Sequence, residues 1–107
     1  MTTTHRAWAH MVTWRMNGAT PEERAEQADR VVRAFEATRG ELPGLLRMEV
    51  GRNIVEALDA WDVALYMVFA TRDDLHAYQS HPSHLRIKAL VGPMRAARGQ
   101  ADFEVPV

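Results

Sequence analysis

The chain contains no cysteine, which excludes a disulfide framework, a thiolate nucleophile and cysteine-ligated zinc. Lysine is nearly absent too: Lys88 stands alone among twelve arginines, and these thirteen cations are offset by fourteen acidic residues to a net charge of -1. There is therefore no basic surplus to mark a nucleic-acid footprint. No apolar run approaches the roughly 20 residues needed to cross a bilayer, so no membrane role is expected. The opening MTTTHRAWAH has no apolar core of the secretory kind, so removal or targeting of this segment is not expected and a cytoplasmic location is. No repeat, low-complexity tract or Gly/Ser linker interrupts the 107 residues, a length that leaves room for one domain and no second. What is present is an ordinary globular mixture, 47% apolar and 25% charged, with enough apolar surface for a packed core.

Two periodicities divide that mixture. Residues 7 to 16, AWAHMVTWRM, alternate: Trp8, His10, Val12, Trp14 and Met16 share one face of a strand. Asn17-Gly18 ends it, and Thr20-Pro21-Glu22-Glu23 carries a helix start, with Thr20 as N-cap, Pro21 at the first helical position and Glu23 reaching back as in a capping box. Ala25, Ala28, Val32 and Phe35 then recur at helical spacing, with Glu26/Arg30 and Asp29/Arg33 as i,i+4 pairs on the wet side and a stop expected near Gly40. After a Pro43-Gly44 turn, LLRMEVGRN alternates Leu46, Met48 and Val50 with Leu45, Arg47 and Glu49, and Gly51 is a candidate bulge. Residues 54 to 60 connect to a third strand, DVALYMVFA, which is apolar on both faces. Thr71 caps a second helix that Pro82 divides into pieces at about 72 to 80 and 83 to 91. Gly92-Pro93 breaks the pattern again, and a short strand, ADFEV, ends it.

The order β-α-β-β-α-β is that of a ferredoxin-like α+β fold, a four-stranded antiparallel sheet. Right-handed crossovers put both helices on one face. The other face is left bare. The third strand carries no charge between Val63 and Ala70, so both of its sides need cover. A second copy of the chain is the simplest cover, because one apolar patch is self-complementary about a two-fold axis. The expectation is a homodimeric α/β barrel. An RNA-recognition domain shares the strand order but places Lys or Arg beside open-face aromatics, and VALYMVFA has neither cation.

Candidate chemistry rests on histidine and tyrosine. His10 sits among Trp8, Val12 and Trp14 on the first strand. Tyr78, His81 and His84 follow one another at three-residue intervals, on roughly one side of the second helix. If that side meets the sheet, imidazoles and a phenol gather in one partly desolvated cavity, suited to removing a proton beside a carbonyl and holding the enolate.

These residues also carry a resemblance. AHMVTWRM, PGLLRMEVGRN, WDVALYMVFATRDDLHAYQSHPSH and ADFEV together resemble the stress-responsive A/B barrel (Dabb) family over nearly the whole chain, most specifically in Tyr78-x-x-His81-Pro82-x-His84. The resemblance implies a ferredoxin-like homodimer with a cavity between each sheet and its helices. A plant member of the family, a polyketide cyclase, performs an intramolecular aldol closure with neither metal nor organic cofactor. Carried over by motif position, His84 is the general base, Tyr78 holds the substrate carbonyl and His10 orients or polarises the substrate. By strand face and helix side, Trp8, Val12, Trp14 and His81 are expected to line the ligand cavity.

The same residues admit other readings. His81, just before Pro82, serves equally as a cap or as a partner for a freed carbonyl, and His10 as a satisfied buried histidine. His10, His81 and His84 as zinc or copper ligands are disfavoured by Pro82 and by the lack of an evident carboxylate partner, so no metal is expected. A cofactor-free monooxygenase of the dimeric barrel type is a further alternative, and a non-enzymatic structural or ligand-carrying barrel is another.

Overall fold

A computed structural model describes residues 5–107; Met1–Thr4, the start of the segment expected to carry no targeting signal, lie outside the described residues. The strands are β1 (Arg6–Met16), β2 (Leu45–Arg52), β3 (Val63–Phe69) and β4 (Arg95–Pro106), and the helices are α1 (Pro21–Glu36), α2 (Arg72–Tyr78) and α3 (Pro82–Val91), with a 3-10 turn over Gly92–Met94. The sheet order is β2-β3-β1-β4, antiparallel throughout. This is the ferredoxin-like α+β arrangement, with the second helix in two pieces.

Local signals account for the helix starts. The Thr20 hydroxyl accepts from the Glu23 N–H at 3.1 Å and the Glu23 carboxylate accepts from the Ala19 N–H at 2.7 Å, a reciprocal cap on α1. Thr71 caps α2 through the Asp74 N–H at 3.0 Å. The turn into β2 closes with the Leu45 N–H on the Leu42 carbonyl at 3.3 Å. There Gly44 has φ +77 and any side chain would run into Asp74, so both conformation and space call for glycine.

The core lies between the sheet and the helices. Val12, Trp14, Leu65, Met67 and Phe69 rise from the sheet to meet Val31 and Phe35 of α1; burying each large side chain is worth about 1.5–3 kcal/mol.

Six local expectations are corrected. Val31 rather than Val32 is fully buried on α1, and the helix ends at Glu36 instead of near Gly40. There the Thr38 hydroxyl takes the Phe35 carbonyl at 2.6 Å. Asp29 pairs with Arg52 of β2 at 3.1 Å rather than with Arg33, a cross-element partner winning over the helical neighbour. Among the described residues Glu26 and Arg30 form no ion pair. The irregularity in β2 falls between Leu45 and Arg47 instead of at Gly51, and by shifting the phase it turns Leu46 outward. Finally, β4 runs for twelve residues rather than the five expected, pairing with β1 along its whole length.

On the face away from the helices, the centre is apolar. Ala9, Met11, Tyr66, Val68, Ala101 and Phe103 occupy it by register. Met11 and Phe103 remain 38% and 42% exposed. Arginines stand at its rim, Arg47 over the Tyr66 ring at 5.6 Å and Arg15 over Trp61 at 4.7 Å.

Candidate active site

The break between α2 and α3 builds one wall of the site. Pro82 cannot extend α2, and the Ser83 N–H, which a continuous helix would send to the Gln79 carbonyl, goes instead to Nδ1 of His81 at 3.1 Å. His81 is thus the N-cap of α3. The Gln79 carbonyl so released accepts from Nδ1–H of His84 at 2.9 Å. A carbonyl only accepts, so this bond places the His84 proton on Nδ1 and leaves the lone pair on Nε2. Burial lowers the His84 pKa from its ordinary value of 6.5, outweighing the Gln79 bond that favours the charged form; Lys88, His10 and Arg98 lower it further. At neutral pH the ring is an uncharged base.

Tyr78 closes α2 against this imidazole, ring centroids 4.4 Å apart, and meets Phe69 at 5.4 Å and His10 at 5.9 Å. It is 3% exposed. Its hydroxyl is the one buried side-chain polar atom among the described residues with no hydrogen-bond partner. Burial pushes the phenol pKa well above its ordinary 10, Arg98 opposing only in part, so the group remains a neutral donor.

From the sheet comes His10, 1% exposed. Its Nδ1–H donates to Asp102 of β4 at 2.6 Å, and the other Asp102 oxygen accepts from Gln100 Nε2 at 3.0 Å. The register sets His10 directly opposite Asp102. The carboxylate fixes ring orientation and tautomer, as a carboxylate behind a catalytic imidazole does elsewhere. Sequence reasoning identified no carboxylate partner. The signal was the alternation of ADFEV beside that of AWAHMVTW, readable only once the two strands are put in register.

These side chains line one cavity of about 350 Å³ between the sheet and the α2/α3 pair. His10, Tyr78 and His84 are brought together there, with Val12 and Trp14 in the apolar wall beside Phe35, Leu65 and Ile87. Two expected lining residues lie elsewhere. Trp8 sits two residues along β1 from His10, in a neighbouring recess under Arg72, whose guanidinium is 6.0 Å from its ring. His81 is spent on its cap. Among the described residues no three His, Cys, Asp or Glu side chains are grouped to hold a metal ion, and no helix is long and apolar enough to cross a membrane.

The sequence model of the stress responsive A/B barrel domain family, Dabb, matches residues 9–105. The chain belongs to the Dabb family. Among solved structures, this Dabb protein is similar to a dimeric ferredoxin-like protein of unknown function from Thermobifida fusca, at 27% identity and a TM-score of 0.80 over 94% of this chain and 92% of that one. A dimeric protein of unknown function and ferredoxin-like fold from Bacteroides fragilis is 25% identical, with a TM-score of 0.75 over 92% of this chain and 96% of that one. A hydroxynitrile lyase from Passiflora edulis shares the fold at 14% identity, TM-score 0.75, over 92% of this chain and 93% of that one. No curated protein matches the sequence of this Dabb domain.

Proposed function

We propose that this Dabb protein is a homodimeric barrel whose cavity binds a small apolar carbonyl compound and catalyses a cofactor-independent, aldol-type ring closure. The observation that carries the reading is the pairing of an unpartnered buried phenol with a neutral imidazole whose free nitrogen is defined. A buried hydroxyl without a partner costs about 1–3 kcal/mol, and a ligand carbonyl accepting from Tyr78 relieves that cost. Such a bond polarises the carbonyl and lowers the barrier to losing the proton on the adjacent carbon. His84 Nε2 accepts that proton. The enolate carbon then bonds to a second carbonyl carbon of the same molecule, and the proton returns to the oxygen of that carbonyl. His10, held by Asp102, is a further polar group in the cavity and orients the substrate.

The helix-free face supports the dimer. Met11 and Phe103 are part-exposed on this apolar face. A second copy about a two-fold axis covers it, and the Thermobifida and Bacteroides proteins are described as dimeric.

A triketide and a tetraketide, each supplied as free acid and as thioester, test the reaction. His84→Ala should abolish their cyclisation while the protein, somewhat less stable, stays folded and dimeric. Wild-type protein that binds the compounds without turning them over supports a ligand carrier instead of an enzyme, and a His84→Ala protein that no longer folds assigns His84 a structural role.

A further inference from the structure

One wall of the cavity is cationic. Lys88 of α3 and Arg95 and Arg98 of β4 line it, and no acidic side chain does. Some arginines elsewhere find carboxylates, Arg6 with Glu104, Arg39 with Glu36 and Arg52 with Asp29, while others such as Arg24 and Arg30 enter no ion pair; here, unpaired cations share a cavity. Among the described residues Lys88, Arg95 and Arg98 enter no ion pair. Nor is the cluster a local expression of a basic protein, since the chain carries a net charge of -1. Burial and the neighbouring Arg95 both disfavour the charged form of Arg98, and Asp102 offsets them only in part. Three exposed cations thus edge the cavity, with no ion-pair partner among the described residues and Asp102 acting on Arg98 from a distance.

Trp14, the cross-strand neighbour of Arg98, forms the apolar lining with Phe35 and Leu65, and the reacting end is Tyr78 and His84. The cavity, at about 350 Å³, stands at the small end of ligand pockets, which run from about 300 to 1,000 Å³. It suits a one- or two-ring body. We propose that its ligand is a carboxylic acid: an aromatic or polyketide body against Trp14 and Phe35, a carbonyl or hydroxyl oxygen on Tyr78, and a carboxylate held by Arg98 and Arg95 with Lys88 beside them. Guanidinium groups match the two oxygens of a carboxylate through paired N–H donors. This inference rests on the cavity being the ligand site, and deepens that reading by fixing the charge of the ligand.

Calorimetric titration with three probes of one shape tests it: 6-hydroxy-2-naphthoic acid, its carboxamide and 2-naphthol. In wild-type protein at low salt the acid should bind on the order of tenfold or more tighter than the amide, and added salt should shrink that advantage. In an Arg95→Gln/Arg98→Gln double variant the advantage should fall to about twofold or less while 2-naphthol binds as before. An amide that binds wild-type protein as tightly as the acid overturns the inference and leaves the cavity reading standing; the comparison needs no variant to fold. An advantage that survives the double substitution also overturns it. If no probe binds, the cavity reading fails and the inference with it.

Discussion

Replacing Tyr78 by phenylalanine removes one oxygen and keeps the ring that packs on Phe69 and His84 at 5.4 and 4.4 Å. Such a change ordinarily weakens a protein, because the lost hydroxyl had a partner. Here it has none and is sealed from solvent. Removing an unsatisfied hydroxyl should therefore return its desolvation cost, about 1–3 kcal/mol. At the lower end this is a rise in midpoint of about 4–8 °C for a domain of roughly this size. In urea, with a slope of about 2 kcal/mol/M, it is a shift of about 0.5 M. The assay is urea unfolding at one fixed protein concentration, since a dimer's apparent stability varies with concentration. The same variant should bind carbonyl ligands more weakly, having lost the donor. Stability and affinity moving in opposite directions is the signature of a group kept for function. A Tyr78→Phe protein no more stable than wild type would show that the hydroxyl is satisfied in solution and would remove the observation on which the catalytic reading rests.

The pH dependence of stability follows from His84, whose folded pKa lies below its unfolded value of 6.5. The unfolded chain takes up this proton first, so stability is full above about pH 6.5 and falls as pH drops from there towards the folded pKa. His84→Gln should flatten that decline relative to wild type, and parallel curves of stability against pH would contradict the burial argument. Phe103→Glu puts a charge on the apolar patch of the helix-free face and should yield a folded monomer by sedimentation; a variant that still sediments as a dimer places the interface elsewhere. Thr20→Ala removes the cap that accepts from the Glu23 N–H and should cost about 1 kcal/mol by urea unfolding with catalysis unaffected, an equal loss of activity being evidence against separation of scaffold and site.

Much of this architecture was legible because its signals are local. Thr20-Pro21-x-Glu23 writes a cap within four residues, AWAHMVTWRM shows its alternation without reference to anything else, and Pro82 divides the second helix wherever that helix is packed. The interval Tyr78, His81, His84 pointed to the cavity for a local reason too. It did not reveal the division of labour: His81 is consumed by the cap, and that cap frees the carbonyl that orients His84. What was illegible is what depends on register. The outward positions of β4 include Gly99 and Ala101, too small to advertise a strand, so its first half read as a connection. With β4 shortened, Arg98 and Gln100 had no address, and Asp102 could not be matched to His10, ninety-two positions earlier. Trp8 was placed in the cavity because it shares a face with His10. Sharing a face does not mean sharing a pocket when a helix end intervenes.

Successive residues of β4 project from opposite sides of the sheet: Asp102 towards the imidazole, Phe103 towards the bare face. β4 is also the outermost strand, held by β1 alone. Anything that clamps Phe103 in the proposed dimer therefore steadies the carboxylate next to it, and anything that lets this margin of the sheet fray lets His10 swing. In the proposed enzyme, assembly and chemistry would be geared together through a single peptide unit, so dilution past the point of dissociation should blunt any turnover well before the chain unfolds.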